Sequence, residues 1–108
     1  MPRTSITIRV TKDYDVNAVQ NVFARIVSSN GYKEKIIKGE QCWSKGDGVV
    51  LKQQNFGIIF SKTEITLQGW LGDAIAGESN LDGFVGMLPK KKMKKILEEA
   101  RSAIAPLV

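Results

Sequence analysis

Two stretches of helical periodicity lie toward the two ends of this chain, and the material between them constrains the fold more than any other feature. In the first, Val16, Val19, Phe23, Ile26 and Val27 recur at the spacing that gathers apolar side chains on one side of a helix. Asp15 precedes it as an N-cap, and Asn30-Gly31 follows as a C-terminal stop. In the second, Met93, Ile96, Leu97, Ala100 and Ile104 form one stripe when residues are placed about 100° apart. Pro89 marks its start, and Pro106 ends it near Ala105.

The rest reads as short β-type runs with brief connections. Residues 3 to 11, RTSITIRVT, alternate with Ile6, Ile8 and Val10 on one side. Residues 32 to 45, YKEKIIKGEQCWSK, read as one or two strands interrupted at Gly39. A turn at Gly46-Asp47-Gly48 leads to VVLKQ, Gln54-Asn55 leads to FGIIFS, and Lys62-Thr63 leads to EITLQGWL. Residues 72 to 88 have no clear period and contain four glycines.

The expected order is therefore β-α-β-β-β-β-α, an α+β class. Both helical stripes must be buried, and one curled antiparallel sheet of about five strands carrying both helices on one face achieves this. A chain of 108 residues reads as one domain spanning 1–108, long enough to bury roughly two-thirds of its unfolded surface. In the strand 64 to 71, Ile65, Leu67 and Leu71 fall on one side, while Thr66, Gln68 and Trp70 fall on the other. Trp70 is thus expected on the outer face, as a stacking or interface surface. Gly39 leaves the register of Trp43 open.

The net charge of +5 is concentrated in one place. Lys90, Lys91, Lys92, Lys94 and Lys95 are five of the 16 basic residues, and the other 11 balance the 11 acidic ones. With the helix starting at Pro89, this run opposes the macrodipole by roughly 0.3 to 1 kcal/mol per first-turn residue at low salt. Lys94 and Lys95 also precede Glu98 and Glu99 in the less favourable order. One reading is a solvated face whose lysine stems cover apolar surface. A second is an anion-binding site for a phosphate, a nucleic-acid backbone or an acidic surface. A third is the acidic patch of a partner protein.

Other chemistries find few components. There is no histidine, so the commonest general base is missing, and the single Cys42 can form neither an internal disulfide nor a Cys-His dyad. Cys42 beside Trp43 reads as a small core residue. Asp47, Asp73, Glu78 and Asp82 fall in predicted turns, and Glu78 and Asp82 lack the regular ligand spacing of a calcium loop. No P-loop, dinucleotide fingerprint or nucleophile elbow occurs. The expectation is no catalytic residue, no metal ligand, no cofactor and no enzyme. No apolar run approaches the ~18 residues of a membrane span, and the first ten residues read as a strand, so a cytoplasmic protein is expected.

Gly83-Phe84-Val85-Gly86 matches the G-x-x-G spacing that KH-type RNA modules use to clamp a backbone, but its central pair carries no base. Glycine punctuation of turns is the simpler reading. The stretch LDGFVGMLPKKKMKK, with Trp43 and Trp70 upstream, resembles a set of small uncharacterised bacterial proteins in which a Gly-Phe-x-Gly stretch precedes a Pro-Lys-Lys helix start. The resemblance supports the element order and implies no activity. Some members also carry a zinc ribbon or a hydrophobic segment, and neither occurs in this sequence.

Two function classes follow as expectations. One is a binding module that uses the five lysines, with Trp70, toward an anionic partner. The other is a protein-interaction or self-associating domain, a homodimer included, that uses the open sheet face or an edge strand. A narrower third is a small apolar ligand held between sheet and helices.

Overall fold

The computed structural model describes residues 3–37, 39–46, 53–73, 77–79 and 87–108. In chain order the elements are β1 (Thr4–Arg9), α1 (Val16–Ser29), β2 (Lys33–Ile37), β3 (Glu40–Lys45), β4 (Gln53–Phe60), β5 (Glu64–Asp73), β6 (Gly77–Ser79) and α2 (Met87–Ile104). A 3-10 turn, Ala105–Leu107, follows α2. The class is α+β, as the alternation of periods implies.

Helix α1 is bounded as its sequence dictates. The Asp15 carboxylate accepts hydrogen bonds from the amides of Asn17 and Ala18, at 2.9 and 3.4 Å, and so satisfies two free donors of the first turn. At the other end Gly31 has φ +92°, its amide donates to Ser28 O, and the Tyr32 amide donates to Val27 O. These are the two bonds of a Schellman cap, and its apolar contact is supplied by Val27 and Tyr32, both buried in the core.

The sheet is antiparallel, in the order β1-β5-β4-β3-β2. The short β6 pairs with Leu71–Asp73 of β5, beyond the point where β1 pairing stops at Gly69. Both helices cover one face. Phe23 of α1 meets Trp43 edge-on at 5.3 Å and Phe56 at 6.5 Å, while Tyr32 meets Phe56 at 4.8 Å. Ile8, Ile65, Leu67 and Leu71 join Met93, Ile96, Leu97, Ala100 and Ile104 of α2 in the same buried cluster. Each such fully buried aliphatic or aromatic side chain contributes about 1.5–3 kcal/mol. Trp43 therefore faces the helices, and the Gly39 hairpin, at φ +81°, sets that register.

Three assignments differ from the sequence reading: the Gln54-Asn55 turn, the turns at Asp73 and Glu78, and the start of the last helix. Gln54-Asn55 is not a turn, because both residues lie inside the continuous strand β4, opposite Leu71 and Trp70. Asn55 is buried and accepts a hydrogen bond from the Ser44 hydroxyl on β3, which replaces the local backbone bond that favours asparagine in turns. The strand count stays close to expectation because residues 32–45 divide into two strands at Gly39. VVLKQ, apart from Gln53, lies outside the described residues, as do Asp47, Asp82 and Gly83-Phe84-Val85-Gly86. Asp73 and Glu78 lie in β5 and β6, not in turns.

Helix α2 begins at Met87, two residues earlier than Pro89 suggests. Pro89 is then its third residue, where the missing N–H still falls among the first four donors that lack an intrahelical acceptor. Of the five lysines only Lys90 sits in the first turn, so the macrodipole cost bears mainly on that residue.

Candidate functional site

The lysine run divides by position on α2. Lys90 stands three residues before Met93 and seven before Leu97, which puts it on the buried stripe, and it is only 6% exposed. Its four-carbon stem is long enough to lie along apolar surface at the end of the core. Lys91, Lys92, Lys94 and Lys95 are exposed. Lys90 and Lys94 are each already engaged by a partner within the chain. Among the described residues no acidic side chain pairs with Lys91, Lys92 or Lys95, and the α2 ion pair given by the geometry joins Arg101 to Glu98 at 2.8 Å.

Successive helical residues point about 100° apart, so these five side chains cannot meet at one point. Lys90 is buried while Lys91, Lys92 and Lys95 cover an arc of the solvent side. The result is a convex basic surface. Such a surface fits an extended array of negative charge better than a single enclosed phosphate.

Trp70 lies on the sheet face away from the helices, as alternation along β5 requires, but it is not an open platform. It is 3% exposed. The Arg3 guanidinium sits 3.6 Å from its ring centroid. The same guanidinium donates to both carboxylate oxygens of Glu40, at 2.7 and 2.9 Å, and to Gln68 Oε1 at 3.1 Å. Arg3 precedes β1 and Glu40 opens β3, so this clamp crosses β5 and β4. Gly57 of β4 lies beside it: a Cβ there would make ordinary contact, 3.4 Å from the Trp70 ring and 3.7 Å from Glu40 Oε2. Stacking of an outside group on Trp70 would first require Arg3 to leave.

Arg3, Glu40, Gln68 and Gly57 were not indicated by any motif. The available signal was parity: Ile6 and Ile8 face the helices, so Arg3 must share the face of Trp70 once β1 is known to pair with β5. Cys42 is fully buried on this outer face, where its thiol donates to Glu40 O at 3.4 Å. Among the described residues no three acidic or cysteine side chains are grouped to hold a metal ion. Among them, too, no helix is long and apolar enough to cross a membrane. No protein-family model matches the chain, nor does any curated protein or solved structure.

Proposed function

We propose that the chain is a non-enzymatic binding module that meets an extended polyanion, a nucleic-acid backbone or an acidic surface, through the solvent side of α2. Lys91, Lys92 and Lys95 supply the charge, Lys94 borders them, and Lys90 anchors the start of the helix in the domain. The observation that carries this reading is the exposure of three lysines on consecutive turns, none of them paired with an acidic side chain among the described residues. Bringing a polyanion to them releases counterions and relieves their mutual repulsion. Trp70, held under Arg3, belongs to the scaffold in this reading.

Titration with single-stranded RNA, duplex DNA and anionic vesicles tests it. Three neutralised phosphates give a log K against log salt slope of about −2 to −3, or roughly a 20- to 40-fold loss of affinity between 50 and 200 mM salt. Replacing Lys91, Lys92 and Lys95 with glutamine should flatten that slope. Absence of binding at low salt, or a slope untouched by the triple substitution, overturns the proposal.

A second reading rests on the outer edge of β2, which pairs with no further strand among the described residues. This strand ends the sheet, and its Ile36 is 77% exposed. An added strand from a partner or a second copy would cover that side chain, although Lys33 and Lys35 on the same strand oppose edge pairing. Sedimentation of a strict monomer at high concentration removes the self-associating form.

A further inference from the structure

A cleft of about 630 Å³ opens where β1 leads into α1, beside the turn between β4 and β5. It adjoins the chain end, where Val108 O accepts hydrogen bonds from the amides of Thr11 and Lys12, so it lies at the opposite end of α2 from the lysine run. The volume falls in the ~300–1,000 Å³ range of small-molecule sites.

Its walls are held in place from both sides. Tyr14 and Phe60 line it as a near-parallel pair, with ring centroids 6.4 Å apart and planes inclined by 29°. The Tyr14 hydroxyl donates to Ser61 O at 2.8 Å, tying the α1 entry to the β4–β5 turn. That turn is itself locked, because Ser61 Oγ accepts from the amides of Thr63 and Glu64. Across the cleft, Asp15 fixes the start of α1. Val16, the first residue of that helix, leaves 42% of its surface exposed here.

Lys12 and Lys62 line the same cleft, one from each connecting segment, and neither has an acidic partner among the described residues. Asp13 also lines it, so the lining side chains carry one net positive charge, while the Asp15 carboxylate at the border is taken up by the amides of Asn17 and Ala18. Flat aromatic surface, an uncovered aliphatic side chain and an excess cation thus occur together in a preformed hollow.

We propose that this cleft binds a small anion bearing a planar ring, with the ring against Tyr14, Phe60 and Val16 and the acidic group toward Lys12 and Lys62. A nucleoside monophosphate and an aromatic carboxylate both have this chemistry. The site is independent of the α2 surface and shares no residue with it.

Amide NMR titration of the full chain tests this, with adenosine monophosphate and benzoate as probes and inorganic phosphate and adenosine as comparisons. Shifts confined to residues 10–16 and 60–62 are expected with at least one probe, at a Kd of about 0.1–1 mM. Adenosine monophosphate binding alone points to a nucleoside phosphate, and benzoate binding to an aromatic carboxylate. Val16→Glu places a negative charge in the cleft at a helix position that favours acids, so it should weaken binding about tenfold or more while keeping the fold. The exposed pair Lys12→Gln and Lys62→Gln should weaken it similarly and remove its salt dependence, and this pair decides the matter if Val16→Glu fails to fold. No localised shift with either probe at about 10 mM overturns the proposal. So does inorganic phosphate reproducing the shifts, adenosine binding as tightly as its monophosphate, or affinity unchanged in these variants.

Discussion

Removing the Arg3 guanidinium tests whether the outer sheet face is held by side chains or only by its backbone ladder. Arg3→Ala deletes two charge-assisted hydrogen bonds to Glu40, one bond to Gln68 and the cation stacked on Trp70. Fully buried, each charge-assisted bond would contribute about 1.5–3 kcal/mol. The two side chains are 17% and 40% exposed, so solvent screening reduces the ion pair to about 1 kcal/mol. The stacked cation adds about 1 kcal/mol in a site this dry. Together these give a loss of about 2 kcal/mol, which for a domain of this size moves the urea midpoint by roughly 1–2 M.

Urea unfolding of Arg3→Ala, Glu40→Ala and the double variant gives the coupling directly, and about 1 kcal/mol is expected. Arg3→Lys keeps the charge but loses the planar fork and should recover less than half of the loss. Tryptophan fluorescence of Arg3→Ala should shift to the red as Trp70 becomes wet. If Arg3→Ala unfolds within about 0.3 kcal/mol of the parent and shows no coupling to Glu40, the clamp is an ordinary surface pair. The burial of Trp70 must then have another cause.

Three further outcomes follow from single contacts. Burial pushes the Tyr32 hydroxyl up from 10.0 to about 12, and it donates to Gln54 Oε1 at 2.6 Å. The unfolded chain loses this proton first as pH rises, so the group's stabilisation is complete below pH 10 and is lost by about pH 12, a change of about 2 kcal/mol. Tyr32→Phe should cost about 1 kcal/mol at neutral pH and lack this alkaline loss, so the urea-unfolding free energies of the two proteins draw together above pH 10 and cross before about pH 12. Parallel curves refute the assignment. At the glycines, Gly57→Ala meets the Trp70 ring at an ordinary 3.4 Å and should be neutral or stabilise by up to about 0.5–1 kcal/mol. Gly72→Ala would put its Cβ 3.1 Å from Asn55 Nδ2, and Asn55 is held by Ser44, so a cost of about 1–2 kcal/mol is expected. The reverse order of melting temperatures would sink this argument. Replacing Lys91, Lys92 and Lys95 with glutamine should change stability by less than about 0.5 kcal/mol each, because all three lie past the first turn. A large loss by urea unfolding would make these side chains structural.

The sequence reveals an interaction when both partners lie within one period of a regular element, and conceals it when the chain must fold before they meet. The α1 caps and the stripe from Met93 to Ile104 are of the first kind: the spacing carries the whole argument, and the structure follows it. Lys90 stands at the edge of this rule. It continues the stripe one step toward the N-terminus, yet its charge argues against burial, and only the length of its stem reconciles the two. Asn55 fails for a related reason, since its turn preference reflects a need for a local partner that Ser44 meets from the next strand. The Trp70 niche is of the second kind. Arg3 and Glu40 are 37 residues apart, and Arg3 and Gln68 are 65 apart. Nothing near Arg3 marks it as the group that covers a tryptophan on β5. The same logic bears on the two proposed surfaces. The lysines are conspicuous in sequence because they are adjacent, and adjacency on a helix is what spreads them outward into a convex patch. Lys12, Tyr14, Phe60 and Lys62 are inconspicuous because they come from two segments, and that separation is what lets them border an open cleft.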